Sequence, residues 1–140
     1  MTVTDLPRFV PLLKEAISLN PKLSPRINVQ ALTWGDSKDL KSFLENKPLP
    51  DLILVSDCIY YEASIQPLIS TLENLCKDRH PECKILLSYE SRDYLESKKK
   101  IAAEFFRTVG ELFWIKPFKT SDCHEDYASD DIRVIQLMLK

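Results

Sequence analysis

The longest unbroken apolar runs lie in the middle of the chain. Residues 51–56 read DLILVS, set off by Pro48 and Pro50 and closed by Asp57, and residues 83–89 read CKILLSY. An apolar run without alternation predicts a strand buried on both faces, as in a parallel sheet. Between the two, Ile65, Leu68, Ile69, Leu72, Leu75 and Cys76 recur at helical spacing, so residues 62–77 are expected to form an amphipathic helix. Strand, helix, strand is a βαβ unit with a right-handed crossover.

The pattern extends in both directions. Leu12, Leu13, Ala16, Ile17 and Leu19 mark an early helix that stops before Asn20 and Pro21. A strand over 26–32 and a short helix over 37–45 follow. After Tyr89, residues 93–108 form a helix with Ile101, Ala102, Phe105 and Phe106 inward, and Gly110 is placed to end it. Strands over 111–118 and 131–139 come last, joined by the polar loop 119–130. With no helix between them they are expected to be antiparallel. The whole reads as one α/β domain over residues 1–140.

Composition narrows the functional classes. A chain of 140 residues with 44% hydrophobic and 29% charged residues is an ordinary globular domain, and a net charge of −2 lacks the basic excess of a nucleic-acid binder. No apolar run approaches the roughly 20 residues that span a bilayer. Residues 1–7, MTVTDLP, lack the basic-then-apolar pattern of a signal peptide. A soluble, cytoplasmic, monomeric protein with no nucleic-acid or membrane partner is expected. Cys58, Cys76, Cys83 and Cys123 form no CxxC pair, and neither His80 nor His124 has zinc spacing, so reduced thiols and no metal are expected.

Ligands of doubly wound sheets bind outside the carboxyl ends of the strands, which directs attention to the polar residues that close each run. These are Asp5, Trp34, Ser56 with Asp57, and Tyr89 with Glu90. A carboxylate at Asp5 suits the two hydroxyls of a ribose, although Asp5-Leu6-Pro7 also reads as a helix start in which Asp5 is only the cap. Trp34 offers an aromatic face to an adenine, or simply covers a sheet edge. Asp57 and Tyr60 pair an acid with an aromatic ring at the end of the most apolar strand. Such a pair can hold an amine through a carboxylate and a ring face, or can be an Asx-type turn with surface tyrosines.

Taken together, VTDLP at 3–7, LTWG at 32–35, DLILVSDCIYY at 51–61 and YESR at 89–92 resemble, in order and spacing, the methyltransferase-like protein-lysine methyltransferases. The ending HEDYASDDI at 124–132 is similar to the member that methylates valosin-containing protein, an AAA ATPase chaperone. The resemblance implies a Rossmann-like seven-strand methyltransferase sheet with an antiparallel C-terminal hairpin, S-adenosyl-L-methionine as cofactor and a lysine side chain as acceptor. It implies that Asp5 binds the ribose, Trp34 lies beside the adenine and Ser56 contacts the cofactor, where the family often has alanine. Asp57 and Tyr60 would line the entry of the lysine. The acidic residues Asp122, Glu125, Asp126, Asp130 and Asp131 would face a basic substrate surface or merely be a solvated loop.

One family feature has no counterpart. Members open with a strand and a glycine-rich loop that lets backbone approach the cofactor, whereas the only glycines here are Gly35 and Gly110. The sequence therefore reads as N-terminally truncated, with the central first strand missing. A split sheet, poor stability and weak cofactor binding are expected, and a non-catalytic form that only binds the protein partner is the alternative reading.

Overall fold

The computed structural model describes residues 1–46, 48–79 and 82–140; His80, considered above as a zinc ligand, lies outside them. It contains β1 (Thr2–Asp5), α1 (Val10–Ser18), β2 (Asn28–Ala31), α2 (Ser37–Asn46), β3 (Leu52–Ser56), α3 (Ile65–Cys76), β4 (Lys84–Glu90), α4 (Glu96–Leu112), β5 (Phe113–Pro117) and β6 (Ile132–Leu139). Short 3-10 turns cover the connections, among them Pro7–Phe9, Glu62–Ser64 and Glu125–Tyr127. The chain divides into two compact units, Met1–Pro48 and Leu49–Lys140.

In the first unit β1 and β2 form a parallel pair, with Val3 opposite Val29 and Asp5 opposite Ala31. In the second, four strands run in the order β3-β4-β6-β5. β3 and β4 are parallel, and β6 is antiparallel to both β4 and β5. The expected C-terminal hairpin is present, and its second strand lies inside the sheet, between β4 and β5.

The register explains where the core forms. Ile53, Ile85 and Leu137 stand side by side across β3, β4 and β6, and so do Val55, Leu87 and Ile135. Side chains two residues apart on a strand share a face, so these residues make one apolar face. Ile85, Leu87 and Leu137 on it are fully buried, as are Ile69 of α3 and Phe105 and Val109 of α4. Burial of each such side chain is worth about 1.5–3 kcal/mol, and this face holds most of the core of the second unit.

The opposite face corrects the sequence reading of residues 51–56 as a strand buried on both sides. Leu52 is 51% and Leu54 66% exposed, because the buried residues of α3 and α4 and those of the strands form a single layer on the other side. A second correction concerns the helix expected over 93–108. It runs from Glu96 to Leu112, and Gly110 sits within its last turn without a positive φ. The Phe113 N–H bonds to the Val109 carbonyl, so the helix ends in β5 directly, with no glycine cap.

The four cysteines form no disulfide. Cys76 and Cys83 are buried with their sulfurs 3.0 Å apart, and burial together with this contact pushes the Cys76 thiol far up from its usual range. No described helix is long and apolar enough to cross a membrane.

Candidate functional site

Each parallel pair ends in polar residues at its carboxyl edge. In the first unit the Asp5 carbonyl accepts the Leu32 N–H at 2.9 Å, which extends the pairing beyond Ala31 and delivers the chain into a tight turn. That turn, Thr33 to Asp36, is closed by the Asp36 N–H on the Thr33 carbonyl at 3.0 Å. Gly35 has φ 79°, a left-handed value that only glycine adopts without penalty, and it follows Trp34 at the turn's tip. Two carboxylates brace the corner. Asp36 caps α2 by accepting the N–H groups of Lys38 at 2.8 Å and Asp39 at 2.9 Å. Asp39 accepts the Thr33 N–H at 2.9 Å, and that bond holds its carboxyl below the usual range.

Asp5 and Trp34 are thus set at the same carboxyl edge, by β1 and by the turn after β2. The capping alternative for Asp5 is corrected by the geometry. The first turn of 3-10 helix is capped by Leu6 with no side-chain bond, and the Asp5 carboxylate accepts the Leu6 N–H at 2.7 Å. Pro7 occupies the first helical position, as the sequence suggests.

In the second unit Ser56 closes β3 opposite Ser88, and Asp57 turns the chain sharply out of the sheet. Asp57 has φ 49°, the left-handed region, which aspartate tolerates better than most residues yet at some cost. Its N–H bonds to the Ser88 carbonyl at 2.8 Å. Its carboxylate is gripped on both oxygens by Arg92, at 3.1 Å from Nη1 and 2.8 Å from Nη2. The same Nη2 reaches Glu90 at 2.7 Å. The hydrogen bonds from Arg92 hold the Asp57 carboxyl below its ordinary value, against the opposing effect of burial.

Tyr60 and Tyr61 follow, their rings tilted and 4.5 Å apart. Lys98, from the first turn of α4, donates its ammonium to the Tyr60 carbonyl at 2.7 Å and lies 5.6 Å from the centre of the Tyr61 ring. Asp57, Tyr60, Arg92 and Lys98 line an open cleft of about 310 Å³. Asp57 and Tyr60 thus share the cleft, and Ser56 precedes them at the end of β3 without lining it.

The sequence reading missed the groups that complete the cleft. It treated Asp57 as an open carboxylate, whereas both oxygens accept from a guanidinium 35 residues further on. The motif at 89–92 contained Arg92 and Glu90 but gave no sign of this fork. Lys98 was hidden in a run of three lysines, 98–100, where only the fold distinguishes one from the next.

The fold has parallels among solved structures. Human N-acetylserotonin methyltransferase in complex with SAM matches 99% of this chain over 40% of its own, at 16% identity and a TM-score of 0.60. The CurJ carbon methyltransferase matches 99% of this chain over 41% of its own, at 12% identity and a TM-score of 0.59. These likenesses define the fold class, a Rossmann-like methyltransferase fold with antiparallel strands at its C-terminal end.

Sequence comparison is more specific. Residues 1–111 match the lysine methyltransferase family, and the chain belongs to it. Protein-lysine N-methyltransferase EFM6 of Saccharomyces cerevisiae is 26% identical over 142 residues, covering 99% of this chain and 54% of that protein. Protein N-lysine methyltransferase METTL21A of Mus musculus is 36% identical over 80 residues, covering 56% of this chain and 35% of that protein. Mouse protein-lysine methyltransferase METTL21E is 32% identical over 104 residues, covering 73% and 40% respectively. The chain thus spans about half, or less, of the length of these relatives. The family match covers Asp5, Trp34, Ser56, Asp57, Tyr60, Arg92 and Lys98, and it leaves out the acidic loop 119–130.

Proposed function

We propose that this chain is the substrate-facing part of a protein-lysine N-methyltransferase that uses S-adenosyl-L-methionine. The observation that carries the reading is the Asp57–Tyr60 cleft at the end of β3, in a chain of the lysine methyltransferase family. The cofactor, when bound, supplies an electrophilic methyl group on a sulfonium. The Asp5 carboxylate retains an oxygen beyond its bond to Leu6 and suits the ribose hydroxyls. Trp34, held on its braced corner, suits the adenine, and Ser56 has a side chain small enough to leave the cofactor room. Tyr60 packs the methylene stem of the incoming lysine. Asp57, kept ionised by Arg92, provides the negative field that draws the amine in. Methyl transfer to a neutral amine depends chiefly on alignment and exclusion of water, and the cleft's rigid acid and rings provide alignment.

For the partner we propose an AAA ATPase chaperone similar to valosin-containing protein, met in the cytoplasm by a monomeric enzyme. The support is the segment 124–132 and its charge: Glu125, Asp126 and Asp130 are exposed, while the Asp122 and Asp131 carboxylates bond within the loop's own turns. The loop is joined to the cleft segment, because the Ser91 N–H bonds to the Asp131 carbonyl at 2.6 Å.

Incubation of the chain with methyl-labelled cofactor and the purified ATPase tests both levels. Label on a lysine of the ATPase, reduced about 100-fold by Asp57→Ala or Tyr60→Ala through misplacement of the amine, is the expected result. Label on another protein with the same dependence on Asp57 would retain the reaction and refute the partner. Capture of the ATPase with no lysine labelled would refute catalysis by this chain and favour a purely binding role.

A further inference from the structure

Lys98, Lys99 and Lys100 follow one another at the start of α4, yet only Lys98 turns inward: it is half-buried and its two neighbours are exposed. Its ammonium crosses 38 residues of sequence to bond the Tyr60 carbonyl at 2.7 Å. It also lies over the Tyr61 ring, within the roughly 6 Å at which an aromatic face attracts a cation. These are the groups that would recognise the ammonium of any lysine: a carbonyl acceptor and an aromatic face, beside a cleft lined by a carboxylate. The Asp57 carboxylate is already engaged on both oxygens by Arg92. The Tyr60 carbonyl is a second acceptor suited to an amine beside that carboxylate, and Lys98 holds it.

We propose that Lys98 is a built-in competitor at the amine end of the cleft, which an incoming lysine side chain must displace from the Tyr60 carbonyl and the Tyr61 ring. This rests on the reading that the Asp57–Tyr60 cleft receives a lysine. The competitor is tethered, so its local concentration is fixed and high whatever the solution holds. An isolated lysine side chain offers nothing beyond what Lys98 already offers. A lysine on a protein surface adds contacts elsewhere and displaces it. Specificity then arises from a penalty applied to every amine and overcome only by the right surface. Once displaced, Lys98 joins Lys99 and Lys100 in solvent, so no charge is left buried.

The test uses the full chain and Nα-acetyl-lysine methylamide as probe, with its ε-acetylated form as the uncharged control, titrated by calorimetry. Lys98→Met should bind the amine probe about tenfold more tightly than wild type, and Lys99→Met should match wild type. If Lys98→Met binds the amine no better than wild type, while the amine is still preferred over the ε-acetylated control, the competitor role is refuted and the cleft reading stands. If no variant distinguishes the amine from the control, the cleft reading falls and the competitor role falls with it. A second measurement needs no substitution. In wild type, Lys98 should react with an acetylating reagent about tenfold more slowly than Lys99 and Lys100, and its rate relative to theirs in the same sample should rise when saturating amine probe is present. Equal rates for the three lysines in the free chain would refute the proposal.

Discussion

At the scale of single residues, the centre of the site is a carboxylate in an unusual backbone state held by a guanidinium. Asp57 carries φ 49° and both of its oxygens face Arg92. The planar fork matters as much as the charge, because a lysine cannot make two parallel bonds. Since the Asp57 pKa is lowered in the folded chain, the pair stabilises the fold fully above the ordinary value of 3.8 and ceases to do so as pH falls below it. Arg92→Ala should return the Asp57 titration, followed by carboxyl-carbon NMR, to at least that ordinary value. The variant's loss of stability should be present at neutral pH and vanish in acid. An Asp57 titration unmoved by Arg92→Ala would mean that the fork contributes nothing to the site. This is also the scale at which the sequence was least informative. A strand that ends in an acid and a tyrosine is legible as a site, but the partner of the acid is chosen by the fold from a loop 35 residues away.

At the scale of elements, the apolar periodicity located the described helices and strands other than β1, which is too short to show a pattern, and its remaining errors were errors of ending and facing. A glycine after a helical run looks like a stop signal, yet Gly110 lies inside α4 because the chain passes straight from helix to β5. Gly35 is the opposite case, a glycine whose conformation the turn requires. The two should respond oppositely to the same change. A Cβ at Gly110 meets only Ile115 Cδ1, at 3.9 Å, an ordinary contact. Gly110→Ala should therefore raise stability by about 0.5–1 kcal/mol, the usual gain of alanine over glycine in a helix. Gly35→Ala places a side chain in the left-handed region and should lower it by about 1–2 kcal/mol. Chemical denaturation of both variants checks the pair, and a destabilised Gly110→Ala would show that the end of α4 has been misassigned. The facing of β3 was misread because a continuous apolar run looks the same whether one side or both are covered. Only the register, with Val55 buried and Leu54 exposed, tells them apart.

At the scale of the whole molecule, the described chain leaves an apolar strip uncovered. β3 is an edge of its sheet, and Leu52 and Leu54 lie exposed along it. An open edge with apolar side chains is a template for pairing with another chain, so the protein should self-associate as its concentration rises. Leu54→Thr keeps strand propensity and removes the apolar contact. It should raise the concentration at which light scattering first detects aggregates, with stability changed by no more than about 0.5 kcal/mol, as for an exposed position. Unchanged aggregation would place the cause elsewhere. The position of β6 has a consequence for how the second unit is made. Within the described sheet β4 and β5 share no neighbouring strand but β6, which lies later in sequence than both. During synthesis the ribosome must deliver residues 132–139 before β5 has any neighbour in the sheet, so the β3–β4 pair can form early while β5 joins last. Until then Phe113, fully buried in the finished fold, lacks its strand partner Leu139.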